Sequence, residues 1–145
     1  KLDDYSYCNG RFVDIRQASY RSGWSYVDAW QPDSTVQTRP GFVDVPMLVA
    51  DKPGKTLTFD FTGTAVGIFC VAGPHAARLE YSIDNAPFKM LDTYTEWSSW
   101  LYLPWVYMFE TELENKPHRL RLRVAKGDAN RTECIIRNFV VNTPE

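Results

Sequence analysis

The chain has 145 residues, of which 44% are hydrophobic and 23% charged, an ordinary globular composition at a length that suits one hydrophobic core. Sixteen basic residues against eighteen acidic ones leave a net charge of −2, which removes the electrostatic basis of general nucleic-acid binding and argues against an anionic polymer as the main partner. No apolar run approaches the roughly 18 residues that cross a bilayer, so no membrane partner is expected either.

Taken in chain order, Lys1-Leu2-Asp3-Asp4 lacks the apolar stretch of a secretory signal, so the chain is expected to follow a removed signal or to start inside a longer protein. Arg11-Phe12-Val13-Asp14-Ile15 reads as an edge strand, and Gln31 to Gly41, with two prolines and a glycine, as a surface loop. Residues 1–41 thus form a less regular N-terminal part of one domain over residues 1–145. From Phe42 to Asn142 the pattern is of short period-two segments divided by turn residues, which predicts core strands and no long helix.

In Thr56-Leu57-Thr58-Phe59-Asp60-Phe61-Thr62 the alternation points Leu57, Phe59 and Phe61 inward and Thr58 and Asp60 outward. Ala65 to Ala72 is apolar at nearly every position, as a central strand covered on both faces must be, and Gly73-Pro74 ends it. Leu79, Tyr81 and Ile83 alternate with Glu80 and Ser82; Asp84-Asn85-Ala86-Pro87 then supplies a turn before Phe88-Lys89-Met90-Leu91, which predicts a β-hairpin. Near the end, Glu110, Glu112 and Glu114 alternate along one segment and Arg119, Arg121 and Arg123 along the next. A hairpin through Asn115-Lys116-Pro117-His118 would pair Glu114 with Arg119, Glu112 with Arg121 and Glu110 with Arg123, leaving Leu113, Leu120, Leu122 and Val124 on the other face. Glu133 to Val141 reads as the last strand. These features predict an all-β fold: a two-sheet antiparallel β-sandwich, jelly-roll-like.

Catalytic signatures are absent. A serine-type hydrolase needs a nucleophile, a base and oxyanion donors, yet the only histidines are His75 and His118. His118 is expected in a solvated hairpin turn; His75, in Gly73-Pro74-His75-Ala76-Ala77, lies in a loop where it could touch a ligand. No Gly-x-Ser-x-Gly elbow, zinc motif, phosphate loop or dinucleotide fingerprint occurs. Asp92, Glu96 and other carboxylates are present without a spacing rule, so a glycosidase acid and base pair stays open as a minor alternative. Cys8, Cys70 and Cys134 have no metal-ligand spacing. Buried free thiols are expected at Cys70 and Cys134, which sit in apolar runs, with one disulfide as the alternative. Asn130-Arg131-Thr132 matches a glycosylation acceptor, but a single match reads as coincidence.

The chemistry that stands out is aromatic. Tyr94, Trp97, Trp100, Tyr102, Trp105 and Tyr107 fall within fourteen residues and hold three of the five tryptophans. Flat rings recognise sugars because the C–H face of a pyranose is apolar, while polar neighbours orient its hydroxyls. Asp92, Thr95, Glu96, Ser98 and Ser99 are candidates for those hydrogen bonds. Two or three of the six rings are expected in the core, and Trp97 and Trp100 at the surface. An exposed aromatic patch suits docking on another protein domain equally well. The candidate ligand-binding set is Trp97, Trp100, Tyr94, Asp92, Trp105, Tyr102 and His75.

Phe61-Thr62-Gly63-Thr64-Ala65-Val66-Gly67-Ile68-Phe69, Ala72-Gly73-Pro74 and Glu80-Tyr81-Ser82-Ile83-Asp84 resemble the β-sandwich region that accompanies bacterial GDSL-type, or SGNH, carbohydrate esterases and acylhydrolases. The likeness extends through Leu91-Asp92, Trp97-Ser98, Leu103-Pro104-Trp105 and Leu120 to Arg123, and backward to Arg39-Pro40-Gly41-Phe42-Val43 and Val45 to Ala50. The Gly-Asp-Ser block and Asp-x-x-His pair of that family's catalytic domain are missing, so no catalytic residue carries over. The resemblance implies a non-catalytic jelly-roll-like accessory module, secreted or periplasmic in a bacterium. Its partners would be a polysaccharide or oligosaccharide and a catalytic esterase domain. Either it binds the glycan, or it packs on the catalytic domain and lends the loop at His75 or Trp97 to that domain's cleft; a free-standing adhesion or scaffold protein is the third reading. No cofactor is required; such modules often hold a structural calcium, but no Asp-rich string locates one.

Overall fold

The computed structural model describes residues 10–33 and 36–144. Eleven strands make up the described chain: β1 (Gly10–Val13), β2 (Trp24–Val27), β3 (Gln37–Thr38), β4 (Met47–Ala50), β5 (Leu57–Gly63), β6 (Ala65–Ala72), β7 (Arg78–Ile83), β8 (Lys89–Asp92), β9 (Leu101–Glu110), β10 (Lys116–Val124) and β11 (Ile135–Asn142). Two 3-10 turns, Ile15–Gln17 and Pro40–Phe42, complete it. A large sheet has the order β2-β4-β11-β6-β9-β3, with β1 also paired to β11; a small sheet has the order β5-β10-β7-β8. Every pairing is antiparallel except the short β3–β9 contact.

Period-two alternation builds the interface between the sheets. Leu57, Phe59 and Phe61 of β5 and Leu120, Leu122 and Val124 of β10 face Val66, Ile68, Ile136 and Phe139 of the large sheet in one buried cluster. Phe59 and Phe139 stack across the sandwich with centroids 4.1 Å apart. As the apolar run of β6 requires, its alternate residues enter different layers: Ile68 and Cys70 join the inner cluster, whereas Val71 belongs to a second cluster on the outer face of the large sheet. There Trp30, Met47, Tyr102 and Ile135 are buried, with Val36, Phe42 and Val45 packed over them. The segment expected to be a surface loop, Gln31 to Gly41, therefore holds strand β3 and part of this cover. Cys70 and Cys134 are buried free thiols, and burial pushes Cys70 up to about 12; Cys8 lies outside the described residues.

The expected β7–β8 hairpin forms, with Leu79 opposite Leu91, and positive φ at both Asp84 and Asn85 matches the right-handed twist of the strands it joins. The second expected hairpin does not form. β9 and β10 lie in different sheets, so residues 111–115 cross the sandwich. The acidic partners of the arginines come from β5 and β7: Arg119 pairs with Asp60 at 2.7 Å and Arg123 with Glu80 at 3.1 Å. Glu110 instead meets Lys89, and Glu114 meets Lys116. Period two fixes the face a residue occupies, but not which strand lies alongside; Leu120, Leu122 and Val124 face inward under either pairing. His118 is likewise not in a solvated turn. It is buried in β10, its Nδ1 2.5 Å from Asp84 Oδ2 and its Nε2 2.7 Å from the Glu114 carbonyl oxygen.

Candidate functional site

Between β8 and β9 the chain runs through consecutive turns over residues 96–100. Small hydroxyl side chains set their shape by taking local backbone partners. Thr93 Oγ1 donates to the Ala77 carbonyl at 2.7 Å and anchors the entry. The Thr95 N–H donates to Ser98 Oγ at 3.0 Å, and the Trp97 N–H to Thr95 Oγ1 at 3.3 Å. Ser98 is completely buried, so its hydroxyl serves the turn and is withdrawn from the group of candidate sugar contacts.

This turn pushes two large rings outward. Trp97 and Trp100 are each 51% exposed, with centroids 6.2 Å apart and planes at 77°. They form a corner: one ring can lie under the apolar face of a sugar while the other stands at its rim. Trp105, in β9, is 55% exposed. Tyr107, two residues further along the same face, is partly buried, and its hydroxyl donates to the Thr93 carbonyl at 3.1 Å. Burial pushes that phenol up to about 12.

Tyr102 requires a correction. It is 3% exposed because alternation along β9 turns it to the outer face of the large sheet, where its ring meets Trp30 edge-on at 5.1 Å and 88°. Gly73 makes this possible, since a Cβ there would come within 2.3 Å of the Tyr102 ring. Tyr102 is a packing residue and offers no ring to a ligand.

Beside Trp100 lies a groove of about 340 Å³ lined by Gln37, Thr38, Arg39 and Pro40 together with the start of β9. The parallel pairing of Gln37 with Leu101 and Thr38 with Tyr102 carries these residues there. The Gln37 amide and Arg39 guanidinium are donors of the kind that orient sugar hydroxyls. Neither was legible as a site residue, because a two-residue strand inside a proline-containing segment leaves no periodic pattern.

His75, Asp92 and Tyr94 form a separate group, joined by Arg131. The Arg131 guanidinium pairs with the Asp92 carboxylate, lies 5.0 Å from the centroid of the Tyr94 ring and donates through Nε to the Ala76 carbonyl at 2.9 Å. The Tyr94 N–H donates to Asp92 Oδ1 at 2.9 Å, and His75 Nδ1 lies 2.9 Å from the Asn130 carbonyl oxygen. Partial burial pushes the Asp92 carboxyl up, but the hydrogen bonds from Arg131 and Tyr94 outweigh it and hold the group below the usual aspartate range. Asp92 and Tyr94 are thus committed to clamping three loops and supply at most the edge of a ligand site. Nearby Glu133 has its carboxyl raised by desolvation, with Oε1 buried and without a hydrogen-bond partner among the described residues. Among the described residues no three carboxylate, imidazole or thiolate side chains converge on a metal position.

No known protein family and no curated protein matches the sequence. Solved structures do share the fold. A two-domain esterase (CEX) active on acetylated mannans superposes with a TM-score of 0.65 at 15% identity, over 100% of this chain and 39% of that one. The CBM36-1 domain of a multidomain xylanase from the hindgut metagenome of Trinervitermes trinervoides gives 0.58 at 9% identity, over 94% and 99%. A family 35 carbohydrate binding module from Clostridium thermocellum gives 0.56 at 11%, over 94% and 99%. The chain thus spans well under half of the esterase and nearly all of each module, and its fold is the jelly-roll-like sandwich of carbohydrate-binding modules.

Proposed function

We propose that this chain is a non-catalytic carbohydrate-binding module that holds a polysaccharide esterase close to its substrate, in a secreted or periplasmic bacterial protein. The observation that carries this reading is the corner of Trp97 and Trp100, half exposed at 6.2 Å, next to a groove edged by Gln37 and Arg39. Stacking surface and hydrogen-bond donors stand together there, as recognition of a sugar demands. The module needs no cofactor; its benefit is a raised local concentration of glycan at an attached catalytic domain. Mannan is the first polymer to try, given the likeness in fold to an esterase active on acetylated mannans.

Affinity electrophoresis in gels containing mannan, acetylated mannan, xylan or glucan tests this directly. Retardation by one polymer is expected, with a shift in tryptophan emission. Trp97→Ala and Trp100→Ala should each weaken binding about tenfold or more while the fold persists, the usual scale for removing a central aromatic contact. If no gel retards the unmodified chain, glycan binding is rejected. A second reading then takes over, in which the domain docks on the catalytic domain and completes its cleft. One observation favours that reading: Phe12 is 60% exposed on the outer face of the large sheet, stacked on Phe69, which also touches Phe42, near exposed Val106.

A further inference from the structure

The arginine stripe of β10 holds one member that the ion pairs do not use. Arg119 and Arg123 have carboxylate partners. Arg121, between them, stands in register with Thr58 on one side and Ser82 on the other, so no acid stands directly opposite it on either neighbouring strand. Its Nε is buried with no acceptor among the described residues. A buried donor without an acceptor costs folding free energy, and in a native structure it calls for a reason.

Arg121 forms part of the wall of a cavity of about 530 Å³ whose rim carries Arg21 and Lys55 and whose lining includes the hydroxyl residues Tyr20, Thr56 and Thr58. No carboxylate lines it. The backbone holds this arrangement: Ser19 and Thr58 exchange two hydrogen bonds of 2.8 Å, which fasten the chain at Ser19 to the edge of β5. Three cations around one concavity, in a chain with a net charge of −2, form a local focus of positive potential that the overall charge conceals.

We infer that this cavity is a second ligand site, separate from the tryptophan corner, and that it takes a carboxylate-bearing sugar unit of an acidic polysaccharide. The guanidinium fork of Arg121 matches a carboxylate with two parallel hydrogen bonds. The cavity is far larger than a bare inorganic anion needs, and its hydroxyl lining and the partly exposed Tyr20 ring suit the remainder of a sugar ring. The net charge argues against an acidic polymer as the main partner; the distribution of charge makes room for one at this place.

The test is affinity electrophoresis of the whole chain in gels containing polygalacturonate, its fully methyl-esterified form, or dextran sulfate. Polygalacturonate should retard the chain and the esterified polymer should not. Arg121→Gln should weaken that retardation about tenfold, the scale of a lost charge-assisted hydrogen bond, and the rim variant Arg21→Gln about two- to fivefold. Trp97→Ala should leave it unchanged. Absence of retardation by polygalacturonate, equal retardation by the esterified polymer, or unaltered binding in both arginine variants would overturn the assignment. Stronger retention by dextran sulfate would also overturn it, showing a patch that reads charge alone.

Discussion

The outer faces of the two sheets obey the same alternation and end in opposite states. On the large sheet, outward residues such as Val71, Tyr102 and Ile135 are roofed by Trp30 and by Val36, Phe42 and Val45 from the N-terminal part. On the small sheet, Asp60, Arg119, Glu80 and Arg123 point to solvent and pair across strands. Alternation decides only that a residue leaves the central core. Whether it meets another layer or water depends on where a distant segment lies, and that segment also brings the polar groups of a site.

The sharpest way to break this contrast is to remove a ring from the covered face. Tyr102→Ala is expected to lower stability by about 3 kcal/mol, in the range for large-to-small changes at buried aromatic positions, because Trp30 loses its edge-on partner. Urea unfolding followed by tryptophan fluorescence measures it. Gly73→Ala should act in the same direction, since its new Cβ would press on the Tyr102 ring. A loss below about 1 kcal/mol in both variants, the scale of exposed contacts, would mean that the roof contributes little and that the two outer faces are equivalent.

How legible each region was follows from the same distinction. The strands β5, β6, β7 and β10 could be read from the chain because each carries its alternation or its apolar run within a few residues, and the Asp84-Asn85 turn declares itself through residues that tolerate positive φ. Partners were not legible. Arg119 finds Asp60 across 59 residues of sequence, whereas Glu110, nearer in the chain, lies in β9 of the other sheet. At the candidate site, the turn residues Thr95 and Ser98 and the exposure of Trp97 and Trp100 follow from local chemistry. The roles of Gln37, Arg39 and Arg131 depend on long-range pairing that no local pattern encodes.

Acid unfolding sharpens the comparison at a middle level. Asp84 closes the β7–β8 turn and accepts from His118 and from the Arg119 N–H. Partial burial pushes its carboxyl up, but those two hydrogen bonds prevail and hold it below the usual range. A folded-state pKa below the unfolded value of about 3.9 gives stability that is complete above that value and lost as pH falls through the lower, folded one. Asp84→Asn keeps a residue that tolerates positive φ and removes this proton linkage. The variant should be less stable at neutral pH and show a flatter loss on acidification below about pH 4. Parallel curves for variant and parent would assign the acid sensitivity to other carboxylates, of which Asp92, also held low by Arg131, is the next to replace.

The smallest effect is expected where the small sheet looks most ordered. Asp60 and Arg119 make two hydrogen bonds, at 2.7 and 3.0 Å, but their side chains are 65% and 53% exposed. Water and salt screen such a pair, so a double-mutant cycle with Asp60→Ala and Arg119→Ala should give a coupling of about 0.2–1 kcal/mol that fades in about 1 M salt. Glu80 and Arg123 are less exposed, and the Arg123 guanidinium lies 3.8 Å from the centroid of the Phe88 ring. Part of their coupling should therefore survive salt, because stacking on a ring is less screened than an open ion pair. If the two cycles instead respond to salt alike, the small-sheet face is uniformly solvated, and register there is set by the inward leucines and valine of β10 rather than by its charges.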